Sequence, residues 1–265
     1  MRLVKSFVRW NRQASAWLHS RVPEMFSTPS YRESLLSAIA RAMAKDHPAV
    51  VLEAGGVDRP ILTKSPDYRF IGLDIEKREN CNHLYDEFLI QSIEKPISQR
   101  VDMIVSITLL EHVPNNLAAV RSMFLNLTPG GTTHHYIPSG LHPYSIALRL
   151  VGPALQKRLI PILRPGTEGV TGYPTFFDHC TPRSMERLFA KTGFTDIEIT
   201  CFYRANDYFA FFMPAYVVIS LFENLCNLMN VRAFASGFVI SGRCPAETIP
   251  RQTAASPKGA HATAG

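Results

Sequence analysis

Groups that can bind a ligand follow the first two apolar runs of the sequence. Glu53, Gly55 and Gly56 end the run AVVLEAGG, and Asp74 stands at the end of RFIGLDI. Glycines after a buried strand let backbone N–H groups approach a ligand, because no Cβ stands in the way. Asp74 lies 19 residues after Gly55, the distance at which a βαβ unit brings the next strand end beside the first. A carboxylate placed there can accept hydrogen bonds from both hydroxyls of a ribose.

The elements that must position these groups are short strands alternating with helices. The apolar runs cover residues 49–56, 69–75, 86–91, 101–110 and 132–137. Helical patterns lie between several of them, notably at 31–46 and 116–127. This alternation indicates a mainly parallel sheet covered by helices on both faces. Such a doubly wound α/β sheet binds ligands beyond the carboxyl ends of its strands, which is where Glu53 and Asp74 fall.

The second half of the chain has a different composition. Residues 138–175 are rich in proline and glycine around one helical stretch at 144–159, and an insertion of this length predicts a lid or a binding loop. Thr181 and Pro182 open a further helix that ends at Gly193. The remaining predicted elements are strands at 196–201 and 237–243 and a helix at 208–231.

Six motifs occur in the order found in class I S-adenosylmethionine-dependent methyltransferases. They are VVLEAGG, IGLDI, the segment 90–97, VDMIVSITLLEHVPN, LTPGG and CTPRSMERLFAKTGFTDIEI. The chain resembles this family over about residues 48–140 and 176–243, and most of all its broad small-molecule (type 11) members. The resemblance implies a Rossmann-like fold with a seven-stranded, mainly parallel sheet whose last strand is antiparallel, with helical lid elements added.

The resemblance also implies S-adenosylmethionine as the cofactor. Gly55 and Gly56 would run beside its methionine part, Glu53 would orient that loop or receive the amino group, and Asp74 would hold the ribose. Ile75 would lie against the adenine. The other implied contacts are Gln91, Ser92 and Ile93 around the base, and Ser106 and Ile107 under the methionine and ribose.

The first loop departs from the family pattern. Val57 stands where the family usually has the second glycine of G-x-G. A branched residue disfavours positive φ, so we expect a loop of different shape or weaker binding. A nicotinamide dinucleotide fold needs G-x-G-x-x-G, and Pro60 occupies the position of its third glycine. Dinucleotide binding is therefore poorly supported.

Histidines are the candidate catalytic residues. Methyl transfer needs a base only when the acceptor group is protonated, and His112, His135 and His179 are the predicted candidates. Strand alternation places only one of His134 and His135 toward the pocket. The Glu111-His112 pair resembles the end of the E-x-x-E-H turn that is associated with a metal in ubiquinone-type O-methyltransferases. Because Thr108 replaces its first acid, no metal is predicted.

The parts outside the motifs predict the acceptor. They are rich in aromatic and aliphatic residues, which favours a small or lipid-like acceptor, methylated on oxygen rather than on nitrogen or carbon. The alternative is a non-catalytic protein of the same fold that serves as a membrane-associated or partner-binding module. Val57 and Thr108 favour that alternative.

Composition excludes several partners and settings. The 28 Lys and Arg residues exceed the 22 Asp and Glu residues by only six, and no arginine block or zinc-finger pattern supports nucleic-acid binding. Five scattered cysteines without a C-x-x-C pair argue against a disulfide framework and favour a cytoplasmic location.

Two segments have features that bear on membrane association. Residues 1–30 predict a basic amphipathic helix that either caps the pocket or lies on the inner face of a membrane. The uncharged segment 208–222 is too short to span a bilayer and is interrupted by Pro214. The predicted organisation is therefore a helix at 1–30, a methyltransferase domain at 31–244 with insertions at 138–175 and 202–235, and a disordered tail at 245–265.

Overall fold

A computed structural model describes residues 2–26, 29–164 and 173–246. Its centre is one seven-stranded sheet with the order β3-β2-β1-β4-β5-β7-β6. The strands are β1 (Val50–Ala54), β2 (Arg69–Asp74), β3 (Glu87–Ile90), β4 (Val101–Ile107), β5 (Leu127–Pro138), β6 (Thr195–Phe202) and β7 (Gly237–Arg243). Six strands run parallel, and β7 lies antiparallel between β5 and β6. The predicted Rossmann-like fold is confirmed.

Helices cover both faces of the sheet, and further helices form an additional layer. They are α1 (Arg2–Arg21), α2 (Pro23–Phe26), α3 (Tyr31–Asp46), α4 (Cys81–Leu84), α5 (Asn116–Asn126), α6 (Pro143–Val151), α7 (Pro153–Leu163), α8 (Pro182–Thr192) and α9 (Met213–Leu228). Short 3₁₀ turns lie at 110–112, 206–209 and 232–234. α3 belongs to the core cluster on one face, whereas α5 and α8 belong to the cluster on the other.

Capping residues set the start of α3 and both ends of α8. Thr181 caps α8 by accepting a hydrogen bond from the backbone N–H of Ser184, and Gly193 ends the helix at φ +113°. Ser30 caps α3 in the same way through Glu33. Both predicted ends of α8 are confirmed.

Three elements differ from the prediction. The helix expected at 144–159 is two helices, because Gly152 at φ +72° turns the chain between α6 and α7. The helix expected at 208–231 is a 3₁₀ turn followed by α9. The turn expected at 128–131 lies inside β5, where the register between β4 and β5 shifts.

The additional layer is built by α1, α2 and α9, which pack against one another. Ser15 of α1 donates to the carbonyl oxygen of Ala210 at 3.3 Å, and Asn11 accepts from the backbone N–H of Met213 at 3.0 Å. Among the described helices, none combines the length and the hydropathy needed to cross a membrane. The tail predicted to be disordered lies outside the described residues from residue 247 onward.

Candidate active site

The candidate site lies at the carboxyl ends of β1 and β4. β1 pairs with β2 on one side and with β4 on the other. The chain therefore continues from β1 toward β2 and β3 on one side, and returns after β3 to β4 on the other side of β1. In a doubly wound sheet, a ligand-binding crevice lies where the connections change side in this way. The predicted cofactor residues lie near the ends of β1, β2 and β4 along this edge or in the segments that follow β1, β2 and β3.

Glu53 anchors the loop that follows β1. Its side chain is fully buried, and its carboxylate accepts hydrogen bonds from the backbone N–H groups of Ile61 at 2.7 Å and Leu62 at 3.3 Å. Burial raises the pKa of Glu53 to about 7, although these two hydrogen bonds act in the opposite direction. Because both oxygens already have partners inside the protein, this placement favours the role of orienting the loop.

Gly55 and Gly56 are required by packing within the protein. Gly55 has φ +83°, and a Cβ on it would stand 3.0 Å from Leu109. A Cβ on Gly56 would overlap the carboxylate of Glu53 and stand 2.5 Å from the hydroxyl of Tyr85. The two glycines thus allow the loop to pass directly over buried polar groups, where any side chain would collide.

Val57 adopts the left-handed conformation with φ +44°. Val57 thus takes a glycine-like φ at the cost of local strain, although a branched residue disfavours it, and the expected difference in loop shape or weaker binding stays a prediction. Its side chain packs against the core cluster that contains Phe70 and Cys81, and this packing offsets part of the strain.

Asp74 and two exposed isoleucines form the part of the edge that suits a nucleoside. Oδ1 of Asp74 accepts a hydrogen bond from the backbone N–H of Glu76 at 2.9 Å, and partial burial raises the pKa of Asp74. Ile75 is 70% exposed and Ile90, which pairs with Asp74 across β2 and β3, is 64% exposed. The carboxylate can accept hydrogen bonds from ribose hydroxyls, and the exposed apolar side chains can pack against the face of a base. Ile90 was not among the residues predicted to contact the cofactor.

Ile93 is buried in the core cluster that also contains Leu73 and Leu52. Its predicted contact with the base stays a prediction. Gln91 donates from its side chain to the carbonyl oxygen of Lys95 at 2.8 Å, and Ser92 donates to Glu94 at 2.9 Å. These two side chains close the turn after β3.

Ser106 and His135 form a buried pair between β4 and β5. The Ser106 hydroxyl lies 2.7 Å from Nδ1 of His135, and Thr133 contacts the other ring nitrogen. Burial lowers the pKa of His135 to about 3. His135 has no exposed surface, so the expectation that it acts as a base is corrected: both ring nitrogens are occupied inside the core. His134 is also buried, bonded to Ser241, so neither of the two neighbouring histidines faces a ligand.

A cavity of about 250 Å³ opens over the ends of β4 and β5. Tyrosines dominate its lining: Tyr31, Tyr136, Tyr144, Tyr173 and Tyr208. The rings of Tyr31 and Tyr136 stack at 3.9 Å between centroids, and those of Tyr144 and Tyr208 lie 3.6 Å apart. Both predicted insertions contribute to the walls, through Tyr144 and Tyr208.

His112 and Glu111 stand together on the wall of this cavity. Nδ1 of His112 lies 2.7 Å from the carbonyl oxygen of Pro174, so this nitrogen donates and Nε2 keeps its lone pair. Burial lowers the pKa of His112. Glu111 Oε1 lies 3.7 Å from Nε2, and Oε2 of the buried Glu111 has no hydrogen-bond partner among the described residues. Burial raises the pKa of Glu111 to about 8.

The turn that carries these two residues is held on both sides. Its backbone at Glu111 accepts hydrogen bonds from the N–H groups of Phe176 at 2.8 Å and Phe177 at 3.1 Å. Before it, Thr108 lines the cavity with φ +50°, held by its N–H bond to the carbonyl oxygen of Tyr136 at 3.1 Å. Ile107 is half-buried at the end of β4.

His179 lies outside the cavity, at the start of α8. Its exposed ring places Nδ1 2.7 Å from the hydroxyl of Ser184, and its backbone has φ +54°. Of the three predicted catalytic histidines, His112 is therefore the one that lines the cavity.

A family model described as a methyltransferase domain matches residues 29–199, which is more than half of the chain. The chain belongs to this family. It is a class I S-adenosylmethionine-dependent methyltransferase by family, and S-adenosylmethionine is its cofactor. The residues at the sheet edge suit that molecule, because Asp74 offers a carboxylate to the ribose while Ile75 and Ile90 offer apolar surface to the base.

Several solved structures are similar to this methyltransferase at low sequence identity. The N-methyltransferase NodS from Bradyrhizobium japonicum WM9 is 13% identical, with 81% of this chain and 96% of that chain covered and a TM-score of 0.47. A SAM-dependent methyltransferase from Archaeoglobus fulgidus is 13% identical, with coverages of 81% and 95% and a TM-score of 0.46. Phosphoethanolamine N-methyltransferase 2 from Haemonchus contortus is 12% identical, with coverages of 88% and 56% and a TM-score of 0.49. A search of the curated proteins found no match.

Proposed function

We propose that this methyltransferase methylates a hydroxyl group on a small or lipid-like acceptor that binds in the tyrosine-lined cavity, with His112 as the base. The observation that carries the proposal is the hydrogen bond from His112 Nδ1 to the carbonyl oxygen of Pro174. That bond fixes the tautomer, so Nε2 can accept a proton. A lowered pKa keeps the ring neutral at physiological pH.

The cofactor and the acceptor would bind to different parts of the site. When bound, S-adenosylmethionine supplies a methyl group on a sulfonium. Asp74, Ile75 and Ile90 would hold its nucleoside, and the Gly55-Gly56 loop would run beside its methionine. On the acceptor side, His112 would take the hydroxyl proton and the unpartnered Oε2 of Glu111 would bond a second polar group of the acceptor.

The size of the cavity supports an acceptor whose reacting part is small. A volume of about 250 Å³ accommodates a single ring rather than a polymer. Its tyrosines present aromatic faces together with hydroxyls, and Leu148 and Ile160 add aliphatic wall. This lining supports an aromatic or hydroxylated ring, with any apolar tail leading out between α6 and α7.

The test combines cofactor binding with methyl transfer. Isothermal titration is expected to show binding of S-adenosylmethionine and of its demethylated product, and methyl-labelled cofactor is expected to label an extractable small molecule or lipid in a cell extract. His112→Asn retains a donor toward Pro174 but lacks a base, so transfer should fall by about 10²–10⁴ at saturating cofactor. His47→Asn is the matched control, because His47 is exposed, lies before β1 and has φ +46°, which asparagine tolerates.

Three results would count against the proposal. Absence of binding of either cofactor form at millimolar concentration would favour the non-catalytic module instead. A labelled product methylated on nitrogen would reject the hydroxyl acceptor. An equal loss of activity in His47→Asn and His112→Asn would remove His112 as the base.

A further inference from the structure

α1 leaves an apolar stripe on its outer side. Its inner side packs through Asn11 and Ser15 against the segment around α9, whereas Trp10 and Trp17 are 62% and 60% exposed. These tryptophans are seven residues apart, two helical turns, so they project from the same side of the helix. Tryptophans so exposed are costly in water and suit a membrane interface.

α9 is apolar on its outer side as well. Its inner side buries Tyr216, Ser220 and Glu223. The outer positions, at three- and four-residue spacing, are Val218, Leu221, Leu225 and Leu228, all more than half exposed. A surface helix ordinarily places polar residues opposite its buried side. The outer side of α9 therefore suits a partner other than water.

α6 and α7 connect this surface with the cavity. Leu148 of α6 and Ile160 of α7 line the cavity, while Leu150 of α6 is 83% exposed. α6 packs against α7, and α1 packs against both α7 and α9. We use the term helical face for the outer surface of α1, α6, α7 and α9.

The charge of the helical face identifies the occupant. α1, α6 and α7 contain no aspartate or glutamate. Their exposed cations include Lys5, Arg9, Lys157 and Arg158. The single carboxylate of α9, Glu223, is buried. Two copies meeting through this face would bring like charges together, whereas an anionic phospholipid surface complements them.

We infer that the helical face docks on an anionic phospholipid bilayer, and that a lipid-tailed acceptor reaches the cavity past α6 and α7. The acceptor route rests on the proposed function, but the docking does not. Apolar side chains enter the boundary between headgroups and acyl chains, and the cations bind lipid phosphates. No spanning helix is required.

Vesicle flotation with the full chain tests the docking. The protein is expected to float with phosphatidylcholine vesicles that contain roughly 30% phosphatidylglycerol at low salt, and to bind pure phosphatidylcholine far less. Raising the salt to about 500 mM should release it. Trp10→Ser with Trp17→Ser, and separately Leu225→Gln with Leu228→Gln, should each weaken partitioning at least roughly tenfold.

Leu125→Gln is the matched control, because Leu125 is a 59% exposed leucine on α5, outside the helical face. It should float like the unaltered protein. Titration of S-adenosylmethionine should give the same affinity in all variants, so failure of cofactor binding would reject the proposed function and leave the docking result intact. Protein that stays at the bottom at low salt, equal binding to neutral vesicles, or equal loss in Leu125→Gln would overturn the docking. So would a dimer in solution that Leu225→Gln with Leu228→Gln dissociates, since a second copy would then cover the face.

Discussion

Nε2 of His142 lies 3.2 Å from Oε1 of Glu223, and both side chains are buried. Nδ1 of His142 accepts the backbone N–H of Tyr144 at the start of α6, whereas Nε2, although close to the carboxylate, has no hydrogen-bond partner among the described residues. Glu223 accepts the N–H of Ala205. This pair joins the helix that lines the cavity to α9.

Removing one partner of the pair should destabilise the whole protein. Glu223→Ala leaves the buried backbone N–H of Ala205 without its acceptor, which we expect to cost about 1–3 kcal/mol in the free energy of unfolding. Glu223→Gln keeps an acceptor oxygen and should cost less. Urea unfolding measures both, with the exposed Glu198→Gln on β6 as control. A loss in Glu223→Ala no larger than in the control would show that the pair does not hold the start of α6 to α9.

Asp74→Ala should weaken cofactor binding at least roughly tenfold, because hydrogen bonds to a charged group contribute about 1.5–3 kcal/mol each before solvent compensates. Isothermal titration with S-adenosylmethionine measures the affinity, and Asp67→Ala, an exposed aspartate before β2, is the control. Unchanged affinity in a folded Asp74→Ala protein would remove the end of β2 from the cofactor site.

Val57 offers a test of backbone strain. At φ +44°, alanine keeps most of the left-handed penalty and loses the packing of the valine, so Val57→Ala should be destabilised by about 1–2 kcal/mol. Val57→Gly relieves the strain and should be more stable than Val57→Ala by about 1 kcal/mol. Thermal and urea unfolding compare the two variants. If Val57→Gly were the less stable one, the positive φ would not persist in solution.

The pH dependence of methyl transfer should carry the signature of His112. Burial lowers the pKa of this histidine below its ordinary value of 6.5, so the basic form already dominates near neutral pH. The acidic limb of kcat/KM should therefore lie below pH 6.5 and disappear in His112→Asn, which has no titrating ring. A limb that persists in the variant would belong to another group.

The motifs at strand ends were predictable because they depend on local sequence. Apolar runs that end in glycines or an acid locate Gly55 and Asp74 at the carboxyl edge, and the alternation of strands and helices predicts the sheet around them. Val57 shows the limit of this argument, since packing against Phe70 and Cys81 overrides the ordinary φ preference of a branched residue.

The cavity was less predictable because distant segments form it. Tyr31 at the start of α3 and Tyr136 at the end of β5 stack although 105 positions separate them, and no local pattern pairs them. His135 was predicted as a candidate catalytic residue from its residue type and strand position, and Ile93 as a cofactor contact from the family resemblance. Whether such a side chain turns into the core depends on neighbours such as Ser106, which only tertiary structure brings together.

Glu111 provides a linkage test of burial. Its pKa is raised to about 8 from an ordinary 4.5, so the folded state binds its proton more tightly than the unfolded state does. Its contribution to stability is therefore fully present below about pH 4.5 and is lost as the pH rises toward 8. Glu111→Gln removes this titration, so the variant should gain up to about 4 kcal/mol relative to the unaltered protein between pH 5 and 8.5. Urea unfolding of both proteins at the two pH values measures this difference. The contributions of the other titrating groups, including Glu53, are the same in both proteins and cancel. Parallel pH profiles of the two proteins would mean that water reaches Glu111 and that its carboxylate is ionised at neutral pH.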